Sequence, residues 1–376
     1  MAITSFTFDR SLTDAFIRFG YDVYASDIRW IPPFRNDMDR QLSPAFPFYR
    51  KPGNAHRHFL ALSGRRVVGR VSAMINADMR HDQEDPPGLL GFFECVEDPA
   101  VCRDLLEAAC GWLVAEHGVP RVIGPMNFDI WHGYRFMTRG FERELFVGEP
   151  YNKTYYPGYF ESAGFCLKRR WHSVEIVGRG LIESLAARGA ETFEKLLGQG
   201  YRFEGFDVRR FGQELMRLHG LVMETFGGFP DFTLIPPEEF VALFAGSRLA
   251  LNPRLTLFFS DDAGRTAGFA VALLELSEAV RAMKGKKDLF SRLQFLARRP
   301  SHRRVNLYAG GITPMESAKR SGLGRAGFSC ILRRVLDLGY KEMLVTLISE
   351  DNKSNGFLGP LAKDYGREYA LYELKP

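Results

Sequence analysis

Apolar positions along the chain switch repeatedly between a period of two and a period near 3.6, which predicts alternating strands and helices. Residues 58–62 and 67–75 are β-rich runs joined by Ser63-Gly64-Arg65, a hairpin signal, and 88–96 reads as a third strand. Asp98-Pro99 then opens a helix running to His117, with Leu105, Leu106, Ala109, Trp112 and Leu113 on one face and Gly118 as its stop. A strand begins at 121–123, a short helix is expected over 155–163, and a strand over 165–177. The second half repeats this order. Strands at 255–260 and 266–276 flank the turn Asp261-Asp262-Ala263-Gly264, and a strand follows at 305–313. Next come a helix at 322–338 closed by Gly339, a strand at 342–348, a short helix at 352–364 and a last strand at 368–374.

Laid over each other, the halves match in their hairpins, in Gly69 and Gly268, and in a helix followed by a strand. Segment 279–304 lengthens the second half and reads either as a solvated helical insertion or as an excursion across an acceptor site. The first half has its own insertion at 128–150. The boundary falls near 178–188, giving units of 1–180 and 181–376, each of ordinary domain size.

Composition changes this picture little. Hydrophobic residues make up 45% and charged residues 25%, as in a soluble globular chain. The net charge of +5 suits an anionic small ligand and is too small to argue for nucleic acid. Five cysteines without a CxxC pair read as free thiols of a cytoplasmic protein. With no signal peptide and no spanning apolar run, no membrane partner is expected. The scattered histidines make no metal set, and His56 and His58 read as alternating strand residues.

Candidate chemistry concentrates where the strand ending at Ile312 and Thr313 runs into Pro314, a loop, and Lys319-Arg320-Ser321-Gly322-Leu323-Gly324-Arg325-Ala326 opening a helix. A helix start offers unpaired N–H groups and partial positive charge, and glycines let an anion approach the backbone. The same spacing also occurs in plain strand-to-helix turns. It is not a Walker loop, since no Gly-Lys-Ser/Thr follows. The dinucleotide pattern Gly322-x-Gly324-x-x-Gly327 lacks an acidic residue ending a strand about 20 residues on, and it stays open as the second reading of the cofactor.

The run of strand, Pro-containing turn, Lys319-x-x-Gly322-x-Gly324, helix, Gly339-Tyr340-Lys341, strand, Glu350-Asp351-Asn352, short helix and final strand resembles the GCN5-related N-acetyltransferase superfamily over 255–374. In the first half, Tyr159 to Phe165 is similar to the same fold's closing helix. The resemblance implies an α/β fold (α+β) of two tandem acyl-CoA N-acyltransferase-like domains, each with a mixed, mostly antiparallel sheet flanked by helices. It implies acetyl-CoA or another acyl-CoA as co-substrate, no metal, and a small-molecule or peptide acceptor that attacks the thioester directly. Residues 320–326 would hold the pyrophosphate, Ile312 and Thr313 would pair with the pantetheine arm, and Asn355 would touch that arm. The chain departs from the superfamily signature, which begins with Arg or Gln, at Lys319. It has Leu361 and Ala362 where a tyrosine acid is usual, with Tyr365 one turn further on. Tyr308 and Glu350 complete the acid–base candidates, and Glu316 in the loop is a further possible base.

In the first half the loop position is Glu94 to Pro99, without glycine and with three carboxylates, so no cofactor is expected there. Trp30 to Phe34, Asn127, Asp129, Trp131 and His132 form an aromatic cup that either holds the acceptor or packs the halves together. Two other readings stay open: a non-catalytic acyl-CoA sensor or scaffold, and an aminoacyl-tRNA-dependent transferase, for which +5 offers little support.

Overall fold

The computed structural model describes residues 1–79, 86–229, 231–299, 303–359, 361 and 366–375. In chain order the first half gives β1 (Ala2–Phe6), α1 (Arg10–Asp22), α2 (Arg35–Gln41), α3 (Pro47–Arg50), β2 (Ala55–Ser63), β3 (Arg66–Ile75), β4 (Gly88–Cys95), α4 (Pro99–His117) and β5 (Val122–Gly124). It continues with β6 (Met126–Asn127), β7 (Gly133–Tyr134), β8 (Phe136–Arg139), α5 (Tyr156–Ser162) and β9 (Cys166–Val177). The second half opens with α6 (Arg179–Ala187), α7 (Ala190–Gly198), β10 (Arg202–Gly205), α8 (Phe211–Phe226), α9 (Pro237–Phe244), β11 (Leu251–Ser260) and β12 (Thr266–Leu274). Then come α10 (Ser277–Ala282), α11 (Leu289–Arg298), β13 (Arg304–Ile312), α12 (Pro314–Lys319), α13 (Leu323–Asp337), β14 (Glu342–Ser349), α14 (Asn355–Leu358) and β15 (Arg367–Leu374).

The repeated helices form for legible reasons. Asp98 caps α4 by accepting from the Ala100 amide at 2.9 Å, Pro99 fits the first turn, and Gly118 ends the helix at φ 62°. The buried face of α4 (Val101, Cys102, Leu105, Leu106, Ala109, Trp112, Leu113) joins a core with β2, β3, β4 and α5. Helix α13 does the same for the second half, burying Leu323, Ala326, Cys330, Ile331 and Val335 against β11, β12, β14 and α6. The opposite face of the sheet carries α1, α2 and α3 in the first half and α8 and α9 in the second. Each fully buried leucine or isoleucine contributes about 1.5–3 kcal/mol.

The two sheets are one. Strand order is β1-β2-β3-β4-β5-β15-β9-β14-β13-β12-β11-β10, with β8 also pairing β15. Only β4–β5 and β13–β14 pair in parallel among the described strands. The last strand of each half is exchanged: β15 pairs β5 through Tyr372↔Gly124, and β9 pairs β14 through Met343↔Ile176. The two exchanged strands pair with each other through Tyr369↔Trp171.

A buried ionic network fastens this seam. Arg367 of β15 is fully buried, lies 2.9 Å from Glu149, binds Glu175 of β9 and donates to the Glu144 carbonyl at 2.6 Å. Tyr369 donates to Glu149, and Arg143 donates to Glu175 at 2.8 Å. Burial raises the Glu149 carboxyl to about 7 against the pull of Arg367. For Arg367 burial works against the charge, but Glu149 and Glu175 outweigh it and hold the guanidinium ionised.

The described part of segment 279–304 holds most of α10 and all of α11, and the expected loop after β13 contains the short helix α12, capped by Thr313. Residues 360 and 362–364 of the expected closing helix, and Tyr365 after it, lie outside the described residues. The five cysteines are free. Among the described residues no helix is long and apolar enough to cross a membrane, and no cluster of His, Cys, Asp or Glu could hold a metal.

Candidate functional site

The site begins with a bulge. Val271 of β12 faces Ala309 of β13, but Ala272 faces Leu307, so Tyr308 is the extra residue. At the same level the parallel ladder to β14 stops, at Leu307↔Val345. Strand β14 turns away toward β9 with an irregularity between Val345 and Ile348 and with Leu347 at φ 54°. The two strands diverge from that point. Thr346 closes the apex by donating to the Leu307 carbonyl at 3.1 Å. The edge from Tyr308 to Ile312 keeps a strand partner only on the β12 side, which leaves a gap edged by backbone polar groups.

At the head of the gap, Ile312 pairs with Gly268, while Thr313 is fully engaged. Its amide donates to the Ala267 carbonyl at 2.9 Å, and its own carbonyl accepts from Ser317 at 2.8 Å. Gly311 is demanded by packing, since a Cβ there would lie 2.5 Å from the Thr225 methyl of α8. After α12 the chain turns through Arg320 at φ 52° and Gly322 at φ 86° into α13. A Cβ at Gly322 would also meet the Thr192 methyl at 2.8 Å.

Helix α13 starts without a side-chain cap and without an acidic residue in its first turn. Leu323 donates to Ser321 Oγ at 3.2 Å and Ala326 to the Gly322 carbonyl at 3.0 Å, but no described residue accepts from the amides of Gly324 and Arg325. Those two N–H groups and the helix dipole make a cradle for an anion.

The loop is held from beneath by Glu316, which is fully buried. It accepts from Tyr201 at 3.1 Å, binds Ser321 Oγ and pairs with Lys319 at 2.9 Å. Lys319 also meets Asp261 at 3.4 Å, and Asp261 is held at about 2 chiefly by its bonds from Arg265. Lys319 and Glu316 are thus parts of the scaffold. The cations left without a described carboxylate partner are Arg188, Arg320 and Arg325. Arg188 and Arg325 line a cavity of about 360 Å³ with Phe328, Gly356 and Phe357, between α6, α13 and α14. Arg188 belongs to no motif, and folding alone brings it here.

Asn355 sits across the gap but is saturated. Its Nδ2 donates to the carbonyls of Ser349 at 3.2 Å and Glu350 at 3.1 Å, and its Oδ1 pairs with His172 Nε2 at 2.9 Å. Glu350 is exposed at the far end of β14, and Tyr365 lies outside the described residues. Tyr308 stands at the bulge, and a Cβ on Gly148 would lie 3.1 Å from its hydroxyl. Burial raises the Tyr308 hydroxyl above its usual range, opposed by Arg135. Arg135 is clamped between the rings of Tyr134 at 3.8 Å and Trp171 at 4.2 Å. Burial lowers its guanidinium to about 9. In the aromatic cup, Asp129 accepts from the Trp131 amide and pairs with His132, both at 2.8 Å, while Trp131 donates to the Thr233 carbonyl at 2.8 Å.

The first half holds the same gap, closed. Its parallel ladder ends at Leu89↔Ile123, and Phe92 has φ 50°. There Asn127 accepts from the Phe92 amide at 2.7 Å, Tyr156 accepts from the Cys95 amide at 3.0 Å, and Tyr155 donates to the Cys95 carbonyl at 2.9 Å. The Asp98 carboxylate already fills the anion position of α4. Glu94 accepts from Tyr24 at 2.9 Å and from Tyr156 at 2.8 Å, 3.9 Å from Arg70. Burial raises Glu94 to about 7, while Arg70 and the two tyrosines pull it back. Its folded value is above its unfolded one, so its contribution is complete below about pH 4.5 and is lost as pH rises through about 7. Between pH 5 and pH 8 the native protein is expected to lose about 2 kcal/mol more stability than Glu94→Gln, measured by denaturant titration. Equal slopes for the two proteins would show that Glu94 does not titrate in this window.

No protein-family model matches the chain. A protein named bacterial ceramide synthase from Caulobacter vibrioides is 28% identical over 264 residues, covering 70% of this chain and 67% of the relative. Protein YghO of Escherichia coli is 25% identical over 285 residues, covering 72% and 68%. Among solved structures, a tandem GNAT protein from the clavulanic acid biosynthesis pathway matches with a TM-score of 0.51 at 12% identity, covering 100% of this chain and 98% of the other. A probable N-acyltransferase from Enterococcus faecalis matches with a TM-score of 0.52 at 8% identity, covering 99% and 72%. At these identities the likeness is one of fold: the chain has the tandem architecture of the GCN5-related N-acetyltransferases.

Proposed function

We propose that this chain transfers an acyl group from coenzyme A to an amine, with one cofactor site, in the second half. The observation that carries this reading is the contrast between two equivalent helix starts. The N-terminus of α4 is capped by Asp98 and its neighbouring gap is filled by Tyr155 and Tyr156, whereas α13 is uncapped beside an open gap. The pyrophosphate would lie on the amides of Gly324 and Arg325, with Arg188, Arg320 and Arg325 around it. The pantetheine arm would follow the free edge of β13 from Ile312 toward Tyr308.

The thioester carbon then meets the acceptor near the bulge. The amine nitrogen forms the C–N bond, the C–S bond breaks, a base takes the amine proton, and the thiolate takes a proton. Tyr308, which stands at the bulge and is protonated at neutral pH as tyrosines ordinarily are, would supply the second proton. Glu350 and Tyr365 remain the other acid–base candidates. The named relative supports a long-chain amino alcohol as the first acceptor class to test, since a ceramide is an N-acylated long-chain amino alcohol.

The assay is release of free thiol from acyl-CoAs of graded chain length with a panel of amines that includes such an amino alcohol. Amine-dependent release is expected, with kcat falling about 100-fold in Tyr308→Phe. Absence of amine-dependent release across the panel, with coenzyme A still stabilising the protein, would replace the transfer reading with a sensor.

A further inference from the structure

The hairpin between β12 and β13 is interrupted by α10 and α11, and α11 turns its apolar face outward. Phe295 packs against Leu276, Ala279 and Met283, and Ser291 is buried beside it. Leu289, Leu293 and Leu296, at i, i+4 and i+7, are 75%, 55% and 58% exposed, and Phe290 is 69% exposed. Leu249, 53% exposed, extends the patch, because its carbonyl accepts from Arg299 at the end of α11. An isolated exposed leucine is ordinary, but a contiguous apolar helix face bordered by charge marks an interaction surface.

The charge is one-sided. From Ala279 to Arg304 the sequence has nine Lys and Arg and one acidic residue, so this segment alone carries +8 in a chain of net +5. The single acid, Asp288, is used as the cap of α11, accepting from Ser291 at 2.8 Å. Lys287 pairs with Asp37 and Arg281 with Glu144. Lys284, Lys286 and Arg292 are exposed and have no described carboxylate partner.

We propose that α11 docks this protein on the surface of an anionic lipid bilayer. Leu289, Phe290, Leu293 and Leu296 enter the acyl boundary, and Lys284, Lys286 and Arg292 meet the headgroup phosphates. An apolar face flanked by cations supplies the two signals that reversible surface attachment needs. The surface is peripheral, so the absence of a spanning helix among the described residues does not bear on it. Under the acyl-transfer reading, the docked end also has a use. Arg304 begins β13 just after α11, and the bulge at Tyr308 lies four residues on, about 13 Å along the strand. An amphiphilic amine held in the bilayer would then approach the gap from this end, opposite the cofactor loop.

Flotation of the full chain with phosphatidylglycerol–phosphatidylcholine vesicles and with pure phosphatidylcholine vesicles tests the docking. Binding is expected only to the anionic vesicles and should weaken with salt. Leu289→Glu/Leu293→Glu should reduce it at least about tenfold, and Lys286→Gln and Arg292→Gln about fivefold each. All these variants should keep the native melting temperature and stabilisation by coenzyme A. Failure of the native chain to float with anionic vesicles overturns the proposal, as does undiminished flotation of the double glutamate variant. A native dimer by sedimentation that the same variant converts to monomer also overturns it, by assigning the face to a second copy. Loss of acyl transfer with flotation intact would sink only the catalytic reading.

Discussion

Gly324→Glu is expected to weaken coenzyme A binding by about 100-fold, equivalent to about 2.7 kcal/mol, while leaving the protein folded. The position is the second residue of α13, where a glutamate suits the helix dipole and adds helix propensity. A Cβ there would lie 3.3 Å from the Phe357 ring, a contact that a small movement of a half-buried ring relieves. The new carboxylate, however, takes the place an incoming pyrophosphate would use, as Asp98 does at α4. Gly324→Ala separates charge from bulk. It should bind coenzyme A within a few-fold of the native protein and gain about 0.5–1 kcal/mol of helix stability. Calorimetric titration of the three proteins is the measurement. Equal affinity of the glutamate variant and the native chain would remove α13 from the cofactor site.

The second large effect is on stability. Arg367→Ala should cost about 3–5 kcal/mol, because it strands the Glu149 and Glu175 carboxylates at the seam. The melting temperature should drop on the order of 4–6 °C. The deficit has a predictable pH dependence. Glu149 is already raised to about 7, and removing the cation that opposes burial raises it further. Stability tied to such a group is complete below its unfolded value and lost as pH rises through its folded value, so the deficit should be smaller at pH 5 than at pH 8. Adding Glu149→Gln should recover part of the loss at pH 8 and little at pH 5. A variant that melts with the native protein at both pH values would show that the network is dispensable.

Much of this architecture is legible where a local signal and a local structure coincide. The helix at 99–117 is written in Asp98, Pro99 and Gly118, and the glycine loop is written in Gly322 and Gly324. Helix α12 also has its signal, since Thr313, Pro314 and Glu316 follow the order of a capped helix start, but the glycines at 322 and 324 just beyond it are equally the mark of a loop. The exchanged strands had none. A buried strand shows the same apolar pattern whichever neighbour it pairs with, so nothing in 166–177 or 367–374 says which sheet receives it. The support of Glu316 by Tyr201, and the arrival of Arg188 beside Arg325, depend on contacts over more than a hundred residues. Helix α11 is the converse case. Its spacing of leucines is the ordinary mark of a core face, and only the exposure of those side chains shows that the face looks outward.

The exchange of β9 and β15 also determines what this chain can lose. Recombination at the junction between Val177 and Arg179 would hand each product an unfinished sheet: the first half would leave β5 without β15, and the second would leave β14 without β9. The first half therefore cannot be dropped as a cassette, even under the proposal that only the second half holds a cofactor. Its loop from Glu94 to Pro99 has no glycine and its gap is filled by tyrosines, yet its final strand pairs with β14, which borders the open gap of the second half. In such a weave, a half that did no chemistry would still be needed to complete the other half's sheet.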